Sequence, residues 1–121
     1  MKTYNTALII DDDQDLCLTL KSVLNRTIPS IHFAHTIAQG KKSFKAISPD
    51  VIFLDNNLPD GQGLHIIKEL RQERPLATII LISALDITKN KAIEYGANSF
   101  LEKPFTMASI FDALRLDYPI N

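Results

Sequence analysis

Four aspartates fall within five residues of the stretch Asp11-Asp12-Asp13-Gln14-Asp15, directly after the apolar run Ala7–Ile10. Carboxylates this close repel one another: at an effective dielectric of about 20, two of them about 4 Å apart cost on the order of 4 kcal/mol. A carboxylate cluster with few other ligand types suits a hard dication, and Mg2+ takes oxygen ligands while keeping several waters. Three further polar residues stand in the same relation to apolar runs. Asp55 closes Val51–Leu54, Ser83 closes Thr78–Ile82, and Lys103 follows Ser99–Leu101 by two residues. A carboxylate beside a dication, facing a hydroxyl and an ammonium, is placed to accept a phosphoryl group, since that transfer is mostly positioning and charge neutralisation. The product is an aspartyl phosphate, a covalent carboxylate intermediate. Taken singly these residues are ordinary: Asp13 and Asp15 read as a helix cap or solvated charges, Ser83 as a loop residue, Lys103 as a surface lysine. Their common placement is what carries chemistry.

The elements must bring them together. Five short apolar runs, Ala7–Ile10, Ile31–Ala34, Val51–Leu54, Thr78–Ile82 and Ser99–Leu101, alternate with segments of helical spacing. Three of the runs lack polar alternation, as strands covered on both faces do. Leu16, Leu20, Val23 and Leu24 form one helical stripe, Ile37, Gly40, Phe44 and Ile47 a second, Leu64, Ile67 and Leu70 a third, and Met107, Ile110, Phe111 and Leu114 the last. The fourth helix, near Lys89 to Tyr95, has only Ala92 and Ile93 clearly apolar. Pro29, Ser48-Pro49, Pro75 and Gly96 separate helices from strands, and Pro104 suits the first turn of the last helix. Five βα units follow, hence an α/β, flavodoxin-like (βα)5 doubly wound parallel sheet of order 2-1-3-4-5. Ligands of such sheets bind outside the strands' carboxyl ends near the switch point. In that order Asp55 sits centrally, with Asp11 and Asp12 to one side and Ser83 and Lys103 to the other.

The 121 residues argue for a single domain spanning 1–121, with a core large enough to need no staples. A hydrophobic fraction of 45%, a net charge of −1 and a pI near 6.3 leave no basic field for nucleic acid or anionic lipid. The lone Cys17 lies in a helical pattern and reads as a core or boundary residue in a reducing cytosol. His32, His35 and His65 have no ligand spacing and read as surface or boundary residues. With no signal peptide and no long apolar run, a cytoplasmic protein is expected.

The motifs LIIDDD, SPDVIFLDNNLPDGQGL, IILISA and GANSFLEKPF resemble those of the receiver domains of two-component response regulators. The likeness covers essentially the whole chain. It implies that Asp55 is the phosphoacceptor. It implies that Asp12 ligates Mg2+ directly and Asp11 largely through water, with the Asn57 backbone carbonyl completing the shell. Ser83 matches the switch hydroxyl, Lys103 the lysine that pairs with the phosphoryl group, and Phe100 the switch aromatic; the Lys103–Pro104 bond is cis in such domains. The implied activity is transfer from a kinase phosphohistidine to Asp55, then slow self-hydrolysis: a switch, not an enzyme acting on a separate substrate. Implied partners are a sensor histidine kinase or phosphotransfer protein, a downstream effector or output domain, and a second copy in a homodimer. The chain would act alone or as a receiver cut from a longer chain.

Two features depart from that pattern. Ser83 and Lys103 are 20 residues apart, two fewer than the family spacing, and the shortening falls in the helix 4 region that usually docks partners or dimerises. Leu85 occupies a position that tunes phosphate lifetime, and an apolar side chain there cannot orient an attacking water, so slow dephosphorylation is expected. A haloacid-dehalogenase-type phosphatase also uses a strand-end aspartate and Mg2+, but its usual threonine is Asp15 here and no cap domain follows. A flavodoxin-like flavin site needs Thr, Ser and Gly after the first strand, where this chain has acids. An unphosphorylated interaction module usually lacks the acceptor or metal residues, and here all are present.

Overall fold

The computed structural model describes residues 3–84 and 89–115. Leu85 and the start of the shortened stretch lie outside them. Strands β1 (Thr6–Ile10), β2 (Ser30–Ala34), β3 (Val51–Asp55), β6 (Thr78–Ser83) and β7 (Ser99–Glu102) form one parallel sheet of order β2-β1-β3-β6-β7. This is the 2-1-3-4-5 arrangement expected of five βα units. Every residue of β3 and β6 is buried, as their unbroken apolar sequences require, whereas the edge strands β2 and β7 are partly exposed.

Helices α1 (Gln14–Leu24) and α5 (Met107–Leu114) cover one face of the sheet over Ala7, Ile9, Phe53, Ile80 and Ile82. Helices α2 (Ile37–Ile47), α3 (Ile67–Glu73) and α4 (Lys89–Tyr95) cover the other over Leu8, Ile10, Ile52, Leu54 and Leu81. Asp13 caps α1, its side chain accepting from the Asp15 and Leu16 amides. Helix α2 stops at Ser48, which adopts a left-handed conformation ahead of Pro49. Among the described residues no helix is long and apolar enough to cross a membrane.

One local feature differs from the sequence reading. Pro104 does not start α5: that helix begins at Met107 with Thr106 as its cap, and Pro104 belongs to the strand-end turn, joined to Lys103 by a cis peptide. Thr106 and Ser109 cap each other's backbone amides, a stronger start signal than proline. The segment after β3 is ordered by its own hydrogen bonds. It holds a small hairpin, β4 (Asn57–Leu58) with β5 (Gly61–Gln62), followed by a 3-10 turn at Gly63–Ile66 that leads into α3.

Gly63 is the tight point of that segment. A Cβ there would collide with the backbone oxygen of Asp55 and stand 2.8 Å from the Leu54 side chain. Backbone cannot swing aside as a side chain can, so Gly63→Ala must displace the chain end that carries Asp55. A loss of at least about 2 kcal/mol is expected, in the range for overpacking a tight site. Chemical denaturation of Gly63→Ala against wild type measures it, and unchanged stability would contradict the close approach.

Candidate functional site

Parallel strands leave all their carboxyl ends at one edge of the sheet, and the polar residues gather there. Asp11 follows β1 and is fully buried; its amide donates to the Ala34 carbonyl (2.9 Å), extending the sheet by one residue. Asp12, next in sequence, is exposed. Asp55 ends the central strand β3 and is 2% exposed, and Ser83 ends β6 and is buried. Lys103 follows β7, and its amide donates to the Ser83 carbonyl at 2.9 Å. Asn57 starts β4, and its backbone amide donates to the Asp55 carboxylate. Phe100 lies within β7, half-buried against the core under α2, α3 and α4. Six of the seven residues singled out in the sequence thus stand at or beside the carboxyl edge of the sheet, while Phe100 lies within β7, opposite Leu81.

Lys103 Nζ donates to Asp55 Oδ1 at 3.0 Å and lies 3.7 Å from Asp11 Oδ2. One ammonium therefore faces two buried carboxylates, and Asp12 adds a third. Carboxylate oxygens of Asp11, Asp12 and Asp55 all lie within 4.8 Å of one another. Asp11 Oδ1 accepts the Asp13 amide at 2.9 Å, but Asp11 Oδ2 is buried without a hydrogen-bond partner. A buried carboxylate oxygen without a hydrogen bond is costly, and the Lys103 ammonium at 3.7 Å, shared with Asp55, offsets that cost only in part. The donor set, all oxygen and anionic, fits a hard divalent cation.

The electrostatics carry the same message. Burial pushes the Asp55 carboxyl above its ordinary value against the lowering effect of Lys103 and the Asn57 amide. Burial also raises Asp11, where the Asp13 amide pulls down and the Asp55 charge pushes up. For Lys103, burial lowers the pKa, but the hydrogen bond and charge of Asp55, with Asp11 behind it, outweigh burial and raise it. The ammonium is held charged, and the carboxylates are held with less compensation than they need.

Sequence reasoning missed three neighbours. Asn56 is buried: its Oδ1 accepts the Leu64 amide (3.0 Å), its carbonyl accepts the Gly63 amide (3.1 Å), and its own amide donates to Ile82 (2.9 Å). His35 is a boundary residue as expected, yet its Nδ1–H donates to the Asp11 carbonyl at 2.9 Å. Asp60 accepts two amides of α2. Asn56 offered one sequence signal, a polar residue between two site residues, which is too common to mark a contact; His35 and Asp60 adjoin no site residue and offered none. Cys17 is buried as read, with its thiol pushed up to about 11 by burial and then by Asp11 and its neighbours. A thiol so far above neutrality is an inert packing group.

Residues 7–115 match the family model described as the response regulator receiver domain. The KDP operon transcriptional regulatory protein KdpE of Escherichia coli is 32% identical over 110 residues, which cover 90% of this chain and 49% of that protein. The chain thus spans about half the length of this curated relative. A two-component response regulator from Clostridium difficile superposes with a TM-score of 0.81 at 29% identity, covering 92% of this chain and 96% of that one. A response regulator protein from Burkholderia pseudomallei, solved with a phosphorylated aspartic acid, calcium ion and citrate, superposes at 0.82 with 29% identity. That match covers 91% of this chain and 66% of the other.

Removing one charge from the cluster tests its cost. A carboxyl whose folded pKa is raised binds protons more readily when folded, so its penalty is full at neutral pH and vanishes below the unfolded value near 3.9. In chelator, Asp11→Asn is therefore expected to melt higher than wild type at pH 7, with the gap closing as pH falls toward 4. A relief of about 1 kcal/mol moves Tm by roughly 4 °C in a domain of this size. Thermal melts of both proteins across that range check the sign; an Asp11→Asn that melts lower at pH 7 contradicts it.

Proposed function

The chain belongs to the family of response regulator receiver domains, and from that membership we propose that Asp55 accepts a phosphoryl group from the phosphohistidine of a sensor histidine kinase or phosphotransfer protein. The observation that carries this reading is the Lys103 ammonium 3.0 Å from a buried carboxylate on the central strand, beside an Asp11 oxygen that has no hydrogen bond. An Asp55 oxygen forms the new bond to phosphorus as the donor's N–P bond breaks and the imidazole leaves with the electron pair. Lys103 stays beside the acceptor and neutralises charge that gathers on the phosphoryl oxygens.

Asp11, Asp12, Asp55 and the Asn57 carbonyl would hold Mg2+, which when bound supplies the remaining positive charge for the transfer. Phosphorylation adds nearly two negative charges at Asp55. Ser83, already tied to Lys103 through its backbone, donates its hydroxyl to the phosphoryl oxygens, and Phe100 on the neighbouring strand changes rotamer with it. The local charge change thus biases a two-state surface read by an effector, an output domain or a second copy of the chain. The chain works as a cytoplasmic phosphoacceptor switch, and its only catalysis is its own phosphotransfer and slow dephosphorylation.

Intact mass after incubation with acetyl phosphate, with and without Mg2+, tests the assignment. Wild type is expected to gain a single phosphoryl group only when Mg2+ is present, and Asp55→Asn to gain none. Equal labelling of Asp55→Asn would move the acceptor elsewhere. No labelling of wild type, from acetyl phosphate or from a kinase phosphohistidine, would favour an interaction module whose acids serve structure alone.

A further inference from the structure

The acidic cluster sits on two separate chain segments, the turn after β1 and the end of β3 with its following hairpin. Like charges on the two segments push them apart, and the β1–β3 ladder that holds them side by side ends at the pair Ile10 and Leu54, one residue short of Asp11 and Asp55. A run of hydrogen bonds supplies a restraint there, and it passes outside the carboxylates through the first turn of α2. It starts at the Asp11 carbonyl, which accepts His35 Nδ1–H at 2.9 Å. The His35 amide donates to Gln39 Oε1 (3.1 Å), and the Gln39 amide donates to Thr36 Oγ1 (3.1 Å), closing residues 35–39 into one unit. The two remaining amides of that turn, Ile37 and Ala38, donate to Asp60 Oδ1 (2.8 Å) and Oδ2 (3.1 Å).

Asp60 lies at the tip of the hairpin whose first residue is Asn57. The tip presses on α2: a Cβ at Gly61, where φ is +148°, would stand 3.0 Å from Ile37 Cδ1. The two amides hold the Asp60 carboxyl below its ordinary value, which marks the bonds as made to the charged form. One side of the bracket thus fixes the peptide between Asp11 and Asp12, and the other fixes the strand that begins at Asn57.

We propose that His35 and Asp60 are positioning residues for the divalent-cation site, holding its two halves in register through the N-terminal turn of α2. The inference rests on the cation-site reading of Asp11, Asp12, Asp55 and Asn57. Neither residue touches the cation; each acts on the backbone that carries a ligand, as outer-shell partners of metal ligands do. The chain also contains a matched control. Asp50, at the opposite edge of the sheet, accepts the Asn5 and Thr6 amides with its two oxygens at 2.9 and 3.0 Å. It makes the same kind of bond as Asp60 and is remote from the acids.

Calorimetric titration of the unphosphorylated chain with MgCl2, alongside melts in chelator, separates positioning from mere stability. Asp60→Ala and His35→Phe are each expected to weaken Mg2+ binding roughly tenfold, the scale of outer-shell losses. Asp60→Asn, which keeps an acceptor oxygen, is expected to recover part of that loss. Asp50→Ala is expected to lower Tm as Asp60→Ala does while leaving Mg2+ affinity unchanged. Affinity within about twofold of wild type in both Asp60→Ala and His35→Phe would overturn the inference, since outer-shell partners act well beyond that. So would an equal loss in Asp50→Ala. An Asp12→Asn arm distinguishes the two levels: binding lost there but intact in both Asp60→Ala and His35→Phe sinks the bracket alone. Absence of binding in wild type sinks the cation site and the bracket together.

Discussion

Everything at the carboxyl edge of this fold depends on one imbalance: the Lys103 ammonium faces two buried carboxylates, and an exposed third stands beside them. Asp11 and Asp55 face Lys103 at 3.7 and 3.0 Å, and Asp12 brings a further charge within the same small volume. Burying a charge is tolerated only when it is paired and hydrogen-bonded. Here one oxygen of Asp11 is left without a hydrogen bond. A surface cluster could relax into water, but Asp11 and Asp55, buried at the ends of β1 and β3, cannot. The acidic cluster is therefore left with a demand for positive charge.

The surrounding structure keeps the imbalance in place. The central strands β3 and β6 are buried along their whole length, which fixes Asp55 and Ser83 against the hydrophobic layers on both faces. Gly63 lets the chain double back onto the Asp55 backbone, and Asn56 secures that return with its side chain and its carbonyl. The first turn of α2 joins the hairpin to the turn after β1. Added negative charge at Asp55 would be felt through Lys103 and the backbone of Ser83, which the Lys103 amide already bonds. A local event thus has a physical route into β6 and β7.

Much of this was legible in the sequence because it follows from periodicity and from where strands stop. VIFL and TIILI lack alternation, so they read as strands covered on both faces, and the residue that ends each must lie at the carboxyl edge. Order 2-1-3-4-5 then brings Asp11, Asp55 and Lys103 together without further information. Pro104 misled because its preference for a first helical turn is a weak local tendency, overridden by the mutual cap of Thr106 and Ser109. Asn56, His35 and Asp60 escaped for a different reason. Each makes its decisive bond to the backbone of another segment, and backbone partners leave no trace in side-chain pattern. The carboxylate of Asp60 and that of Asp50 look alike in sequence, and only the fold sends one to α2 and the other to the strand starts.

A specific cation site at the acidic edge and diffuse surface charge respond differently to added salt. Unfolding free energy by chemical denaturation, measured at neutral pH in chelator, in MgCl2 and in NaCl of equal ionic strength, separates the two most directly. Binding to the folded state alone stabilises by about 2.7 kcal/mol at a hundred times the dissociation constant, whereas salt screens buried charge poorly. A clear gain in MgCl2 that NaCl does not reproduce is the predicted result. Equal gains in the two salts, or none in MgCl2, would contradict it.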